Sequence, residues 1–245
     1  MRLDVRIPAP EGHSNGTLHL PEGDGPWPGV LLYPDAGGAR EVIRVMGDRL
    51  ASMGYVALVP DIYYRAGDWA PFDVAEIFTV PEERARLGTL AAPLTNDVIV
   101  ADGHAYADFL LARPEVTGSA IGTTGYCLGG RMSFVAATGL GGKIAAAASF
   151  HGGGLAVADD QSSPHLAADR ITAAVYVAGA KDDRHFTPEQ AELLESALTK
   201  AGVEHTVEFY PAEHGFAVAD NPTHDPAAEA RHWQALTTLY GAHLG

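Results

Sequence analysis

Gly125-Tyr126-Cys127-Leu128-Gly129 is the stretch of this 245-residue sequence that decides the fold. It matches the G-x-S-x-G pattern of a nucleophile elbow, with cysteine in place of serine. In an elbow the nucleophile stands on a strained turn between a strand and a helix, where small neighbours avoid clashes. The positive end of the helix then favours thiolate over thiol at Cys127. The alternative is that Cys127 is a small buried apolar residue beside glycines needed for packing.

The segments on both sides of this motif alternate between strand and helix patterns. Continuous apolar runs predict buried strands at 29–33, 55–59, 120–125, 144–150, 173–178 and 206–210. Helical spacing, caps and stops predict helices at 43–53, 94–112, from 127, from 188 to Gly202 and from 226. Alternating residues between Leu3 and Leu20 predict an edge hairpin that turns at Gly12–Gly16. The pattern predicts one α/β domain over 1–245, a doubly wound, mostly parallel sheet with helices on both faces.

Composition narrows the classes of function. The formal net charge of -15 is unfavourable for binding nucleic acid or an anionic membrane, so we expect neither partner. No apolar run reaches the length of a membrane span, the N-terminal residues do not form a signal sequence, and a single cysteine excludes an internal disulfide. We therefore expect a cytoplasmic protein, either a monomer or a homodimer.

Two further segments supply candidate partners for Cys127 in the order that the motif requires, an acid and then a histidine. Gly179-Ala180-Lys181-Asp182 follows a predicted strand, which puts the Asp182 carboxylate at the carboxyl edge of the sheet. Asp183 is adjacent and stays open as the acid. Glycine after His214 lets the loop beyond the last strand turn sharply toward the nucleophile. The sequence thus predicts a Cys127–Asp182–His214 triad.

The sequence from about residue 25 to 240 resembles the dienelactone hydrolase family. The resemblance is carried by PDAGG at 34–38, GYCLGG at 125–130, GAKDD at 179–183 and YPAEHGF at 210–216. It implies an α/β-hydrolase fold without a cofactor and a cysteine that attacks a lactone or ester carbonyl. It also implies that Cys127 accepts the acyl group, His214 acts as base and acid, and Asp182 orients the imidazole.

Two positions depart from the family pattern. The family usually has a glutamate that helps to activate the thiol where this chain has Asp35, whose shorter side chain could instead simply form the turn. Lactone-specific members hold the substrate carboxylate with arginines, one of them at the position of Val218 here. Arg84 or Arg86 could supply another, although both could equally be solvated surface charges. Without such a clamp, selection for an anionic lactone weakens.

The remaining candidates line the same predicted site. The amides of Ala36 and Leu128 are the expected oxyanion donors. His151 ends a predicted strand and could contact substrate, or could be a structural histidine. Irregular residues 63–93 could cover the site, with Tyr63 and Trp69 forming an apolar wall or belonging to the core.

The function predicted from these residues is hydrolysis of a small lactone or ester by a cysteine nucleophile. Histidine spacing predicts no metal site, and the glycine-rich stretches lack the lysine and serine of a phosphate-binding loop. The first alternative is a broader carboxylesterase or thioesterase with an apolar acyl pocket. The second is a non-catalytic binding protein that retains the fold.

Overall fold

A computed structural model describes residues 1–77 and 79–244 of the chain. Phe78, an aromatic residue of the irregular 63–93 segment, and Gly245, the last residue of the predicted domain, lie outside the described residues.

The described strands form one eight-stranded sheet in the order β1-β2-β4-β3-β5-β6-β7-β8. Only the pairings of β2 with β1 and with β4 are antiparallel, and the pairings from β4 to β8 are parallel. The strands are β1 (Arg2–Ala9), β2 (Gly12–His19), β3 (Trp27–Tyr33), β4 (Val56–Pro60), β5 (Val116–Tyr126), β6 (Ile144–Phe150), β7 (Ala174–Ala180) and β8 (His205–Tyr210). This arrangement confirms the predicted α/β class and the mostly parallel sheet.

Six α-helices are present in the described part of the chain. They are α1 (Glu41–Ser52), α2 (Pro81–Ala91), α3 (Asn96–Leu111), α4 (Leu128–Gly139), α5 (Pro188–Ala201) and α6 (Pro226–His243). The ends of α5 are encoded locally: Thr187 and Gln190 form a capping box, and Gly202 ends the helix in the left-handed conformation. Short 3₁₀ turns at Tyr64–Ala66, Gly141–Lys143 and Pro164–Arg170 complete the connections.

Apolar residues cover both faces of the central strands, which is why those strands read as continuous apolar runs. On β3, Leu31 and Tyr33 belong to one buried cluster, whereas Val30 and Leu32 belong to another on the opposite face. The strands therefore have little freedom to slip in register, since a shift by one residue would exchange the two faces.

Two local expectations were wrong. The hairpin turns at Pro10 and Glu11, because Ala9 already pairs with Gly12 and residues 12–16 belong to β2. The segment 63–93 is less irregular than predicted, since it contains α2, a helix with no fully buried residue among those described. A helix without a buried stripe leaves no helical period in the sequence.

Candidate active site

The nucleophile elbow lies where β5 meets α4. Cys127 follows the last residue of β5 with φ 54° and ψ −115°, and α4 begins at Leu128. A side chain at Gly125 would overlap the backbone of Gly129, and one at Gly129 would overlap the carbonyl oxygens of Tyr33 and Pro34. The glycines of the motif are therefore required by the close approach of three backbone segments, and the start of α4 is held against the end of β3.

His214 is hydrogen-bonded to the neighbouring aspartate, Asp183, and not to Asp182. The distance from His214 Nδ1 to Asp183 Oδ2 is 2.7 Å. The other oxygen, Oδ1, accepts the amide of His185 at 2.8 Å, so that both carboxylate oxygens have partners. The Asp183 side chain is 1% exposed. Burial alone would raise the pKa of Asp183, but the hydrogen bond and charge of His214 hold this pKa below 3.8.

The assignment of Asp182 as the orienting acid is thus corrected by the geometry. Its side chain is 87% exposed, and its nearest charged partner is the Lys181 ammonium at 3.9 Å. Asp182 has φ 54°, a left-handed conformation that aspartate tolerates better than most residues. This turn directs the Asp182 side chain outward and places Asp183 against His214.

The imidazole of His214 lies between Asp183 and Cys127. Burial lowers its pKa, but hydrogen bonding to Asp183 and to Cys127, together with their charges, outweighs burial and raises the pKa to about 10. Because Nδ1 faces Asp183, Nε2 is the nitrogen available to the thiol. The three groups can therefore carry a proton from sulfur to imidazole while the carboxylate stabilises the resulting cation.

His151 lies directly behind the nucleophile. Its ring is buried, and its Nδ1 accepts the amide of Cys127 at 3.1 Å, an amide that the Phe150 carbonyl also accepts at 3.0 Å; the ring proton is then on Nε2. Burial, followed by the charge of His214, holds the pKa of His151 well below 6.5. Its ring centroid is 5.1 Å from that of His214 and 4.8 Å from that of Phe216. The Phe150 carbonyl and a neutral His151 thus hold the Cys127 amide together, and a contact of the His151 ring with substrate stays a prediction.

The oxyanion loop, residues 34–40, connects β3 to α1 and carries the Ala36 amide. Within the described chain this amide donates to no residue, and Leu128, the first residue of α4, lacks an intrahelical acceptor for its amide. Both amides are therefore free for an external oxyanion. The buried Tyr63 hydroxyl donates to the carbonyl oxygen of Ala36 at 2.9 Å, which fixes the peptide on the other side of this residue.

Trp69 packs against the outside of the oxyanion loop. Its ring centroid is 5.2 Å from that of Tyr63, and a Cβ atom at Gly38 would overlap its ring. The indole Nε1 donates to both oxygens of Asp61, at 3.0 and 3.1 Å. Tyr63 and Trp69 therefore support the loop through protein contacts, whereas their predicted contact with substrate stays a prediction.

Asp35 faces an arginine that the sequence did not single out. Its Oδ1 and Oδ2 accept from Arg40 Nη1 and Nη2 at 2.5 and 2.9 Å, and Oδ1 also accepts the amide of Gly37 at 2.9 Å. The carboxylate is thus engaged by neighbours in its own loop. Among the described residues, the Asp35 carboxylate makes no hydrogen bond that would support its expected role in activating the thiol. Its hydrogen bonds to Gly37 and Arg40 support a turn-forming role instead.

Of the positions expected to bind a substrate carboxylate, neither Val218 nor Arg86 offers a free cation. Val218 is fully buried. The Arg86 guanidinium donates to Glu83 and to the Ala70 carbonyl, and its carbon lies 3.6 Å from the centroid of the Phe72 ring. Arg84 is exposed on α2. Arg84 and Arg86 therefore fit the alternative that they are surface charges.

Residues 1–77 and 79–244 lack two features of other functional classes. No helix there has the length and hydropathy of a membrane span. No three side chains of the usual ligand types, His, Cys, Asp or Glu, are grouped to bind a metal ion.

Comparison with known proteins finds a matching family, similar curated proteins and similar solved structures. Residues 15–244 match the dienelactone hydrolase family. A Synechocystis protein provisionally named carboxymethylenebutenolidase is 29% identical over 98% of this chain and 96% of its own. A Pseudomonas carboxymethylenebutenolidase is 28% identical over 89% of this chain and 85% of its own. The crystal structure of a dienelactone hydrolase-like promiscuous phosphotriesterase from metagenomic libraries is 27% identical, with a TM-score of 0.79 over 100% of this chain and 99% of its own.

Proposed function

Because the chain belongs to the dienelactone hydrolase family, whose members hydrolyse ester bonds, we propose that Cys127 is a nucleophile that opens a lactone or ester carbonyl. The observation that carries this proposal is the position of His214. One nitrogen is hydrogen-bonded to a buried carboxylate, and the other is left for the side chain of Cys127. These contacts support the assignment of Cys127 as nucleophile, His214 as base and Asp183 as orienting group of a catalytic triad.

The first step forms a thioester. His214 takes the thiol proton, and the sulfur attacks the carbonyl carbon while the amides of Ala36 and Leu128 stabilise the negative oxygen. Losing one such donor typically lowers the rate by ~10²–10³-fold. The carbon–oxygen bond of the ester then breaks, and the imidazolium returns its proton to the leaving alkoxide.

The second step releases the acid. Water loses a proton to His214, its oxygen attacks the thioester, and the thiolate leaves. Asp183 keeps the imidazole in the same tautomer through both steps, and no external reactant besides water is consumed. A thiolate leaves more readily than an alkoxide, which suits activated esters and lactones better than amides.

A second candidate, a carboxylesterase or thioesterase of broader scope, is favoured by the charges around the site. The family resemblance implies an arginine at the position of Val218, which is buried here, and Arg86 is already hydrogen-bonded to Glu83, so that of the candidate cations only the exposed Arg84 on α2 has no carboxylate partner among the described residues. Selection for a carboxylate on the substrate requires a free cation. We therefore expect neutral lactones, p-nitrophenyl esters and thioesters to react faster than lactones that carry a carboxylate.

The test combines a variant with a substrate panel. Cys127→Ala should abolish turnover of p-nitrophenyl acetate, and mass spectrometry of wild type with a slow ester should find the acyl group on Cys127. Asp182→Asn, which changes an exposed carboxylate near the site, is the control and should keep full activity. Undiminished turnover in Cys127→Ala would refute the proposal, and a preference for carboxylated lactones would refute the second candidate.

A further inference from the structure

Arg40 joins two loops that carry different parts of the candidate active site. The first is the oxyanion loop, at whose end Arg40 lies. The second, the histidine loop, comprises residues 211–225 between β8 and α6. Arg40 binds Asp35 in the first loop through Nη1 and Nη2, at 2.5 and 2.9 Å. It binds Asp220 in the second through Nε and Nη2, both at 2.7 Å, across 180 positions of sequence.

The contact is largely buried and uses the whole guanidinium. The side chains of Arg40 and Asp35 are 8% and 5% exposed, whereas that of Asp220 is 40% exposed. Burial opposes the charge on Arg40, but the hydrogen bonds to Asp220 and Asp35 hold its pKa above the ordinary value. Only a planar fork can make paired hydrogen bonds to two carboxylates at once, and a lysine ammonium cannot reproduce them.

One arm of Arg40 fixes the oxyanion loop. Besides Asp35, Nη1 approaches the carbonyl oxygen of Gly38 at 3.4 Å. Asp35 in turn accepts the amide of Gly37 on its side chain at 2.9 Å and that of Gly38 on its carbonyl at 3.0 Å. These bonds surround the peptide of Ala36 and set the direction of its free amide.

The other arm reaches the backbone of His214 through a short, ordered segment. Asp220 lies between Val218 and Asn221, which are joined by a backbone hydrogen bond of 3.0 Å. The Thr223 hydroxyl donates its one proton to the His214 carbonyl at 2.5 Å, and Asn221 Oδ1, which accepts the Thr223 amide at 3.2 Å, lies 2.7 Å from the same hydroxyl. A displacement of Asp220 is therefore transmitted to the residue that must face Cys127.

We propose that Arg40 is a positioning residue that holds the oxyanion donor and the catalytic histidine in one fixed relationship through Asp35 and Asp220. The inference rests on the proposed function, because it assigns the two loops to one reaction. It gives Asp35 a purpose other than contact with the thiol: its carboxylate anchors the guanidinium that joins the loops. Errors of about 1 Å in such positions can cost 10²-fold in rate.

The experiment uses the full chain with two variants. Arg40→Lys keeps the charge but loses the paired geometry, and kcat on p-nitrophenyl acetate should fall by about 10²-fold. Asp220→Asn alters the exposed end of the bridge, where unfolding is not expected, and kcat should fall by about 10-fold. In both variants the pH midpoint of the His214 imidazole, followed by NMR, should move down from about 10.

Arg113 provides a control. It binds the Glu115 carboxylate through Nε and Nη2 just before β5, at the end of that strand opposite Cys127. Arg113→Gln should therefore leave kcat and the His214 midpoint unchanged. If Asp220→Asn keeps wild-type kcat and an unchanged His214 midpoint, the inference is overturned, even where Arg40→Lys is unstable.

These outcomes separate the inference from the proposed function. Activity that survives Cys127→Ala would refute the proposed function itself. Activity that requires Cys127 but is indifferent to Asp220→Asn would refute only the role of Arg40.

Discussion

Replacing Asp183 with asparagine is the sharpest test of the site, because the chain provides its own control one residue away. Asp183→Asn removes the carboxylate that lies 2.7 Å from His214 Nδ1, whereas Asp182→Asn alters a side chain that is 87% exposed. The asparagine amide can donate to Nδ1, which would place the imidazole proton on Nε2, facing the thiol. In that tautomer the ring cannot accept a proton from sulfur.

The size of the effect follows from the electrostatics of the pair. The rise in the pKa of His214 from 6.5 to about 10 corresponds to roughly 5 kcal/mol in favour of the imidazolium. Asp183 and Cys127 share this effect. If Asp183 supplies between half and nearly all of it, its loss lowers kcat by about 10²- to 10⁴-fold, since 1.4 kcal/mol is a factor of ten.

The assay is steady-state hydrolysis of p-nitrophenyl acetate, with the pH midpoint of the His214 imidazole, followed by NMR, as an independent reading. Asp183→Asn should lose kcat and lower this midpoint from about 10, whereas Asp182→Asn should stay within twofold of wild type in kcat and leave the midpoint unchanged. The reasoning fails if the two variants lose similar activity, or if Asp183→Asn retains more than a tenth of wild-type kcat.

Two further predictions concern stability. Since the pKa of His214 is raised to about 10 and that of Asp183 is lowered below 3.8, the stability that wild type has over Asp183→Asn should be fully present between about pH 4 and 6.5. This difference in the free energy of unfolding should decline as pH rises from 6.5 to about 10, and again as pH falls below 4. Urea unfolding of both proteins from pH 3 to 10 measures the difference, and a value that does not change with pH would contradict the linkage. In α4, Gly129→Ala should cost about 3 kcal/mol, because its methyl group would overlap the Tyr33 and Pro34 carbonyls. Gly88→Ala in α2, which meets nothing within 4 Å, should instead stabilise by about 0.5–1 kcal/mol; equal thermal shifts would disprove the packing argument.

The sequence predicts the architecture well because the relevant signals are local. The apolar run that predicts the strand at 144–150 has the bounds of β6, and the helix predicted from 188 to Gly202 is α5, which begins at Pro188 and ends before Gly202. The 81–91 helix had a usable signal in Pro81 followed by two glutamates, which mark a helix start, but no apolar stripe drew attention to it. Pattern reasoning is weakest where a helix lies on the surface without burying a face.

The residue types of the site and their order along the chain could be predicted from the sequence, but the contacts between them could not. Choosing between Asp182 and Asp183 depends on one backbone angle, and two adjacent aspartates give no sequence signal for it. The bridge from Asp35 through Arg40 to Asp220 spans 180 positions, so that only tertiary structure brings its members together. His151 was visible as a candidate, but acceptance of the Cys127 amide by its ring depends on how β5 and β6 end side by side.

Backbone strain ties these observations together. Among the described residues, three that are not glycine have positive φ: Cys127, His151 and Asp182. Each follows, within two residues, the carboxyl end of one of three adjacent parallel strands, β5, β6 and β7. Such conformations cost roughly 1–3 kcal/mol each and persist only where the surroundings enforce them.

Each strained residue has a consequence for the same group of atoms. The turn at Cys127 places this residue directly before α4, the turn at His151 directs its ring to the Cys127 amide, and the turn at Asp182 places Asp183 against His214. Three unfavourable backbone conformations lie at the carboxyl edge of β5, β6 and β7, and each one positions a group of the same candidate site. Packing alone does not account for this. The coincidence therefore favours selection for a reaction at this rim over a fold retained only for binding.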